Sequence, residues 1–295
     1  MQKRWVKILS QLRIADLVDT NGVVDYVFER QNEDGGYTFC RGTASNAQDT
    51  YYALGILEML GVKPKNTERT TGFLQGLQHE DGGFVSVKVA FYVIKSLSQL
   101  GSRPIKPVYP LMCFFGIILR GLEHPSTYVE VVSEYENLQL AVDLVHSLNF
   151  RVDEKKTAGQ ILSLQNSDGS FGISRHSRIA STYHALKILK ILNHDDKTPR
   201  ETLGWIRRCE LPSGGFVSSP DASTGYLEET YYGVKALEVL GETLSHPKET
   251  LKYVARFQNP NGGFRRSQFL GISDLESTFH ALSCIKTITS PLKRQ

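Results

Sequence analysis

The heptapeptide QHEDGGF at residues 78–84 decides the fold, because related copies of it return along the chain at a near-constant interval. The copies read QNEDGGY at 31–37, QHEDGGF at 78–84, QNSDGSF at 165–171, ELPSGGF at 210–216 and QNPNGGF at 258–264. Their first glycines stand at 35, 82, 169, 214 and 262, so the gaps are 47, 87, 45 and 48 residues. The gap of 87 covers about two periods, which predicts one degenerate repeat near 104–149 and six repeats in total.

Each copy has the chemistry of a turn between two helices. Glycine adopts a positive φ without steric cost, and Asp or Asn bonds to the local backbone. An amphipathic stretch precedes each turn, and a smaller, more apolar stretch follows it. The second stretches align at Thr50, Ala90, Ala141, Thr182, Thr230 and Thr278. The pattern predicts an all-α fold, an (α/α)6 toroid of six helical hairpins with an outer and an inner ring, as a single domain over 1–295.

Composition restricts the class of protein. Hydrophobic residues make up 40%, charged residues 22%, and the formal net charge is +3 without a basic block, so nucleic-acid binding is not expected. The cysteines Cys40, Cys113, Cys209 and Cys284 form no CxxC pair and predict buried thiols in a reducing compartment. No apolar signal segment opens the chain, so we expect a cytoplasmic protein. The apolar run 109–119 is too short to span a bilayer and favours a buried helix, with a monotopic membrane patch as the alternative.

The five copies resemble the repeats of the prenyltransferase and squalene-cyclase superfamily, over about 23–288. Protein prenyltransferase β subunits hold a catalytic zinc through Asp, Cys and His on the fifth and sixth inner helices, so the resemblance implies that a zinc site here would lie at the corresponding positions. The corresponding residues here are Glu228, Thr230 and Ser277. Because Thr and Ser do not replace thiolate or imidazole, no zinc of that type is expected, while Mg²⁺ could accompany a diphosphate substrate. The D-x-D-D acid of squalene-type cyclases is also absent from the sequence.

Candidate acids lie where the inner helices begin. Helix N-termini favour an anion, so a diphosphate head group is expected at that end of a central funnel, with its apolar tail deeper. The ring of residues two before each aligned position reads Gln48, Lys88, Gln139, Ala180, Glu228 and Glu276. We predict Glu228, Glu276 and Asp49 as catalytic residues. Capping is the alternative for Glu276, through Ser273-x-x-Glu276, and for Gln48 with Ser45. For Glu228 the alternative is a cap or an exposed first-turn acid, and for Asp49 it is stabilisation by the helix dipole.

Candidate substrate-binding residues follow from the same alignment. Lys88 and Arg178 are candidate partners of a diphosphate, and Tyr231 corresponds to a tyrosine that the resemblance places near it. The other candidates are Tyr52, His184, Tyr232 and His280. The histidines could carry protons at neutral pH, but packing with one polar tip is the alternative, since Tyr fills their position in other repeats. The aromatic residues could equally be core.

These observations leave three classes of function open. The first is an isoprenoid-handling protein similar to a prenyltransferase β subunit, which binds a prenyl diphosphate or another apolar substrate in the central cavity, with a helical α-subunit-like partner. A terpene cyclase that uses a cavity carboxylate, or a non-catalytic toroid that binds an apolar ligand or protein, is the alternative. A glycan-active barrel is the third class, but the chain has only Trp5 and Trp205 for sugar stacking. A centre filled by side chains would speak against any ligand in the funnel.

Overall fold

The computed structural model describes residues 12–108, 134–173, 177–194, 200–269 and 271–290. Cys113 and the whole of the apolar run 109–119 therefore lie outside the described residues. A 3₁₀ turn covers Ile14–Asp16, and the strands β1 (Phe264–Arg265) and β2 (Ser273–Asp274) form one short antiparallel pair. The helices are α1 Thr20–Phe28, α2 Ala47–Met59, α3 Thr67–Gly76, α4 Val87–Gln99, α5 Glu134–Ser147, α6 Glu154–Ser163, α7 Arg178–Ile191, α8 Arg200–Cys209, α9 Leu227–Val239, α10 Pro247–Ala255 and α11 Leu275–Thr289.

Six of these helices form a closed inner ring. Helices α2, α4, α5, α7, α9 and α11 contact one another in that order, and α11 contacts α2. Each of the outer helices α1, α3, α6, α8 and α10 packs against the inner helix that follows it in the chain. The prediction of an all-α toroid with inner and outer helices is confirmed. In the described part of the chain, no helix is long and apolar enough to cross a membrane.

The repeated heptapeptide joins each turn to the next outer element. In the second copy, Gly82 has φ +85°, and the Asp81 carboxylate accepts a hydrogen bond of 2.8 Å from the Gly83 amide. The Gln78 side-chain amide donates to the carbonyls of Gly82 (2.9 Å) and Lys106 (2.8 Å). The glutamine therefore links its own turn to the connection that leads to the next repeat, which explains why it recurs.

The aromatic residue of each copy explains the aligned threonines. The Phe264 amide donates to the Thr278 hydroxyl at 3.0 Å, and both side chains are fully buried. The same bond joins Tyr37 to Thr50, Phe171 to Thr182 and Phe216 to Thr230. A buried amide without a partner is costly, so threonine at this position fixes the inner helix against its turn.

The last turn closes the toroid on the first helix. The Gln258 side chain exchanges two hydrogen bonds of 2.9 Å with the backbone of Asp19, which caps α1. Gly262, with φ +86°, lies so close to Gly22 that an added Cβ would stand 2.0 Å from the Gly22 carbonyl oxygen. Closure therefore depends on a glycine that no other residue can replace without moving α1.

Two of the cysteines match the expectation for buried thiols. Cys209 and Cys284 are buried and unbonded, whereas Cys40 is only half-buried in the loop before α2. Burial raises the pKa of the Cys209 thiol to about 12, so this thiol is inert at neutral pH.

Candidate functional site

The first turns of the inner helices form a polar rim, which we define by Gln48, Lys88, Glu136, Glu228 and Glu276. Separate residues cap these helices: Asn46 accepts from the Asp49 amide at 2.8 Å, and Asp274 accepts from the Ser277 amide at 2.6 Å. The capping alternatives for Gln48 and Glu276 are therefore wrong, because the caps are provided by Asn46 and Asp274. The side chains of Gln48 and Glu276 do not cap their helices and can interact with each other.

Glu276 joins two inner helices, α11 and α2, at this rim. Its carboxylate accepts hydrogen bonds from the Tyr52 hydroxyl (3.0 Å) and the Gln48 amide (3.3 Å). Burial, together with the neighbouring charges of Asp274 and Glu136, raises the pKa of Glu276 to about 7, although the hydrogen bond from Tyr52 opposes the rise. The carboxyl can therefore both donate and accept a proton near neutral pH.

The cation of the rim is already paired. Lys88 Nζ lies 2.9 Å from the Glu136 carboxylate, in a bridge whose two side chains are mostly buried. Glu136 was not among the candidates, which placed Gln139 at this level; Gln139 instead lies one turn deeper, where its side-chain oxygen is 3.3 Å from His184 Nδ1. The register was missed because no glycine turn precedes α5 in the sequence. One signal for the correct register was available in the sequence. Glu136 stands one helical turn before Gln139 and is an acid that could pair with the rim lysine, Lys88.

The remaining candidate acids stand apart from Glu276. Glu228 forms an ion pair of 2.5 Å with Arg266 at the partly exposed edge of the rim. Asp49 accepts hydrogen bonds from Asn46 and from the Phe39 backbone, and burial together with the charge of Asp274 raises its pKa. These bonds direct the Asp49 carboxylate to the loop that enters α2, away from the Tyr52–Glu276 bond.

Arg178 does not reach the rim. Its guanidinium pairs with Asp168 at 2.5 Å and also contacts Ser170, both in the turn of its own repeat. The same group lies over the ring of Trp205 on α8, 5.2 Å from the centroid. The structure therefore assigns Arg178 to the joint between a turn and an outer helix and gives no support to its predicted contact with a diphosphate.

An aromatic cluster occupies the axis just below the rim. Tyr231 stacks on His280 with centroids 4.0 Å apart, and its ring also contacts Tyr183 (6.1 Å) and Phe279 (6.4 Å). Tyr51 contacts Phe279 at 6.1 Å from the other side. The cluster is formed by Tyr51, Tyr52, Phe91, Tyr92, Tyr183, His184, Tyr231, Tyr232, Phe279 and His280. At this level, aromatic side chains from five inner helices line the axis of the toroid, and their ring contacts join neighbouring helices.

The two histidines of the cluster are neutral. Burial lowers the pKa of His184 and of His280 to about 3, and the neighbouring charge of Lys88 adds to this effect at His184. They therefore carry no exchangeable positive charge at neutral pH. The structure favours the packing interpretation of both residues over the proton-carrier interpretation.

The residues at the expected zinc positions do not fit the metal. The Thr230 hydroxyl accepts from the Phe216 amide, and the Ser277 hydroxyl donates to the Asp274 carboxylate at 2.8 Å. Glu228 is paired with Arg266. In the part of the chain that the structure describes, no group of three His, Cys, Asp or Glu side chains is placed to hold a metal ion.

Comparison with known proteins relates the chain to one domain family. The Prenyltransferase alpha-alpha toroid domain family matches residues 90–178 and 173–293. No curated protein sequence matches the chain.

Solved structures share the fold at low sequence identity. Protein geranylgeranyltransferase-I of Candida albicans, complexed with GGPP, is 13% identical, with a TM-score of 0.64 over 92% of this chain and 91% of that one. A variant of the type II terpene cyclase MstE from Scytonema, complexed with geranylgeranyl dihydroxybenzoate, is 12% identical, with a TM-score of 0.60 over 92% and 95%. A protein from Actinoplanes is 16% identical, with a TM-score of 0.60 over 92% and 98%.

Proposed function

Because the chain belongs to the prenyltransferase alpha-alpha toroid family, we propose that it handles an isoprenoid and that Glu276 is its proton-transferring group. The observation that carries the proposal is a carboxyl with a pKa of about 7, bonded to Tyr52 at the mouth of an aromatic interior. Aromatic faces suit prenyl chains and stabilise positive charge. Two proteins of the same fold are complexed with geranylgeranyl compounds, which supports this class of ligand.

The chemistry of Glu276 favours transfer of a proton to or from oxygen. In the neutral form, its O–H bond breaks, the proton passes to a ligand oxygen, and the Tyr52 hydroxyl stabilises the carboxylate that remains. The carboxylate recovers the proton from a hydroxyl that becomes nucleophilic. A carboxyl with a raised pKa is a weak acid towards a carbon–carbon double bond, so we place alkene protonation second.

The charge of the rim bears on the head group of the ligand. Lys88 is paired with Glu136 and Arg266 with Glu228, so these two cations are already balanced. A prenyl alcohol, phenol or other neutral head group therefore fits the described rim better than a diphosphate. A diphosphate would need Mg²⁺ to offset the rim acids.

A non-catalytic toroid is the second candidate. The contacts within the aromatic cluster favour it, because a prenyl chain would have to displace rings that pack on one another, as Tyr231 packs on His280. Such a protein would use its outer surfaces rather than its axis. The two candidates differ in whether a ligand is turned over at the rim.

A partner protein is proposed on the surface around the mouth. Several large apolar side chains are exposed in the loops that lead into inner helices: Phe39, Val85, Ile173, Tyr226, Phe269 and Ile272. Five different repeats contribute them, so they surround one end of the toroid. Phe269 is 84% exposed, so Phe269→Ser should leave the fold intact. A helical α-subunit-like partner that covers this surface should no longer bind the variant.

The test uses the purified chain with farnesyl diphosphate, geranylgeranyl diphosphate and geranylgeraniol, with and without Mg²⁺. Products are followed by mass spectrometry and ligand binding by calorimetry. We expect Glu276→Gln to lower turnover by about 100-fold or more and the matched variant Glu228→Gln to retain it. Equal turnover in wild type and Glu276→Gln would refute the role of Glu276, and binding without turnover would favour the non-catalytic candidate. Stoichiometric zinc in the active protein would contradict the expectation that Glu228, Thr230 and Ser277 hold no zinc.

A further inference from the structure

A cavity lies further along the inner helices than the polar rim, on the other side of the aromatic cluster. It has a volume of about 350 Å³ and opens between the C-terminal halves of α2, α9 and α11. The rings of Tyr51 and Phe279, together with the side chain of Met59, form its apolar wall. The volume lies at the small end of the range for ligand pockets in proteins, so the cavity suits a small molecule.

Two small residues explain where the cavity lies. Gly55 on α2 and Ser283 on α11 each stand four positions after a ring of the aromatic cluster, on the same side of the helix. An added Cβ at Gly55 would stand 2.7 Å from the Phe279 ring, so the glycine allows this ring to lie against α2. The corresponding residues of three other repeats are long: Lys95, Lys187 and Lys235.

The four charged side chains of the lining form one ion pair and leave two single charges. Glu238 pairs with Lys235. Glu58 accepts a hydrogen bond of 3.1 Å from the neutral side-chain amide of Gln99. Within the described ranges, neither Glu58 nor Lys286 has an oppositely charged side chain within salt-bridge distance. The lining is therefore neutral in sum, but one acid and one base in it lack a charged partner.

The positions of these two charges on their helices differ in their effect. Lys286 lies in the last turn of α11, where the partial negative charge of the helix C-terminus stabilises a cation. Glu58 lies in the last turn of α2, where the same partial charge disfavours a carboxylate. A positively charged group bound beside Glu58 would offset this unfavourable interaction.

We propose that this cavity binds an apolar α-amino acid as its zwitterion. The ammonium of the ligand would donate to the Glu58 carboxylate, and its carboxylate would accept from the Lys286 amine and the Ser283 hydroxyl. The apolar side chain would lie against Tyr51 and Phe279, whose ring faces also attract the ammonium.

A zwitterion fits the lining better than a singly charged ligand does. It adds no net charge to a lining that is already neutral, and it brings one group of each sign to Glu58 and Lys286. An anion alone would leave Glu58 without a partner, and a cation alone would leave Lys286 without one. The site goes beyond the isoprenoid proposal and does not depend on Glu276, which lies at the rim.

The test measures binding to the full chain by titration calorimetry with four probes: L-phenylalanine, phenethylamine, hydrocinnamate and glycine. Phenethylamine lacks the carboxylate of L-phenylalanine, hydrocinnamate lacks the ammonium, and glycine lacks the apolar side chain. We expect one saturable L-phenylalanine per chain, bound at least about 5-fold more tightly than each of the other probes, because only this probe makes all three contacts.

Two charge variants separate the two ends of the ligand. Glu58→Gln should weaken L-phenylalanine and phenethylamine about 5-fold and should not weaken hydrocinnamate, because only the ammonium contacts this residue. Lys286→Gln should weaken L-phenylalanine and hydrocinnamate by the same factor and should not weaken phenethylamine. Ser283→Leu should abolish binding of L-phenylalanine by occupying the cavity. The matched controls Glu68→Gln and Lys63→Gln remove the same charges from exposed sites and should leave binding unchanged.

Several results would overturn the proposal. Phenethylamine or hydrocinnamate that binds as tightly as L-phenylalanine would remove the need for a zwitterion. Wild-type affinity for L-phenylalanine in both charge variants would show that Glu58 and Lys286 do not contact the ligand. Unchanged binding in Ser283→Leu would place the ligand elsewhere, and thermal melting confirms that each variant is folded. Glu276→Gln should bind L-phenylalanine like the wild type, so failure at the rim and failure here are distinguishable.

Discussion

The raised pKa of Glu276 predicts that this one carboxyl makes the stability of the protein depend on pH. Burial, together with the charges of Asp274 and Glu136, moves the pKa from its ordinary 4.5 to about 7. The folded chain therefore holds this proton more tightly than the unfolded chain does. The group stabilises the fold fully below about pH 4.5, and the contribution is lost as the pH rises through about 7.

The size of the effect follows from the difference between the two pKa values. It corresponds to a loss of about 3 kcal/mol in the free energy of unfolding between pH 4.5 and pH 8. Glutamine at this position cannot titrate but keeps an acceptor for the Tyr52 hydroxyl. The difference in stability between wild type and Glu276→Gln should therefore change by about that amount, while contributions from other groups, such as Glu229 with its pKa of about 7, cancel.

Urea unfolding at half-unit pH steps from 4.5 to 8 measures this difference directly. Tyr52→Phe is the matched variant, because it removes the hydrogen bond that favours the carboxylate. Its stability should begin to fall at the same pH as that of the wild type but continue to fall to a higher pH, with a larger total loss. A wild-type curve parallel to the Glu276→Gln curve over the whole range would show that the carboxyl is not desolvated, and the proposed proton transfer would lose its basis.

Two further predictions test the joints of the toroid by thermal and urea unfolding. Gly262→Ala should lower the free energy of unfolding by more than about 2 kcal/mol, because the new Cβ meets the Gly22 carbonyl oxygen. The control Gly61→Ala, also at positive φ (+68°) but with open space around it, should lower it by about 1 kcal/mol. Equal losses would mean that ring closure tolerates the side chain. Thr278→Val leaves the buried Phe264 amide without its acceptor and should cost about 1–3 kcal/mol, and Thr289→Val, which removes only a bond to a helical carbonyl, should cost less than half of that; a reversed order would contradict the anchoring role of Thr278.

Most of the fold could be predicted because its rules are local. The glycine of each turn needs a positive φ, and the glutamine needs a backbone carbonyl of its own turn, as Gln78 bonds to Gly82. Both requirements are met by residues of the same heptapeptide, so the spacing of its copies predicts where each helix pair is. The degenerate repeat shows the limit of this reasoning. Without a glycine turn to fix it, α5 was aligned one turn away from where Glu136 meets Lys88.

The candidate site could be predicted only in outline. Repeat positions indicated that Tyr52, His280 and Glu276 belong to inner helices, but not which partners they meet across the ring. The hydrogen bond between Tyr52 and Glu276 joins residues of the first and last inner helices. Capping patterns misled for the same reason: Ser273-x-x-Glu276 is a valid local motif, but the adjacent Asp274 caps the helix instead.

The sequence by itself determined the alternation of outer and inner helices in the glycine-marked repeats, because turn geometry and helical periodicity depend on neighbours along the chain. Only the tertiary structure decided which side chains line the axis and touch one another, since Tyr231, Phe279 and their neighbours come from different inner helices and meet only after these helices pack together. It also decided the protonation of Glu276 and His280, because desolvation depends on everything packed around a group.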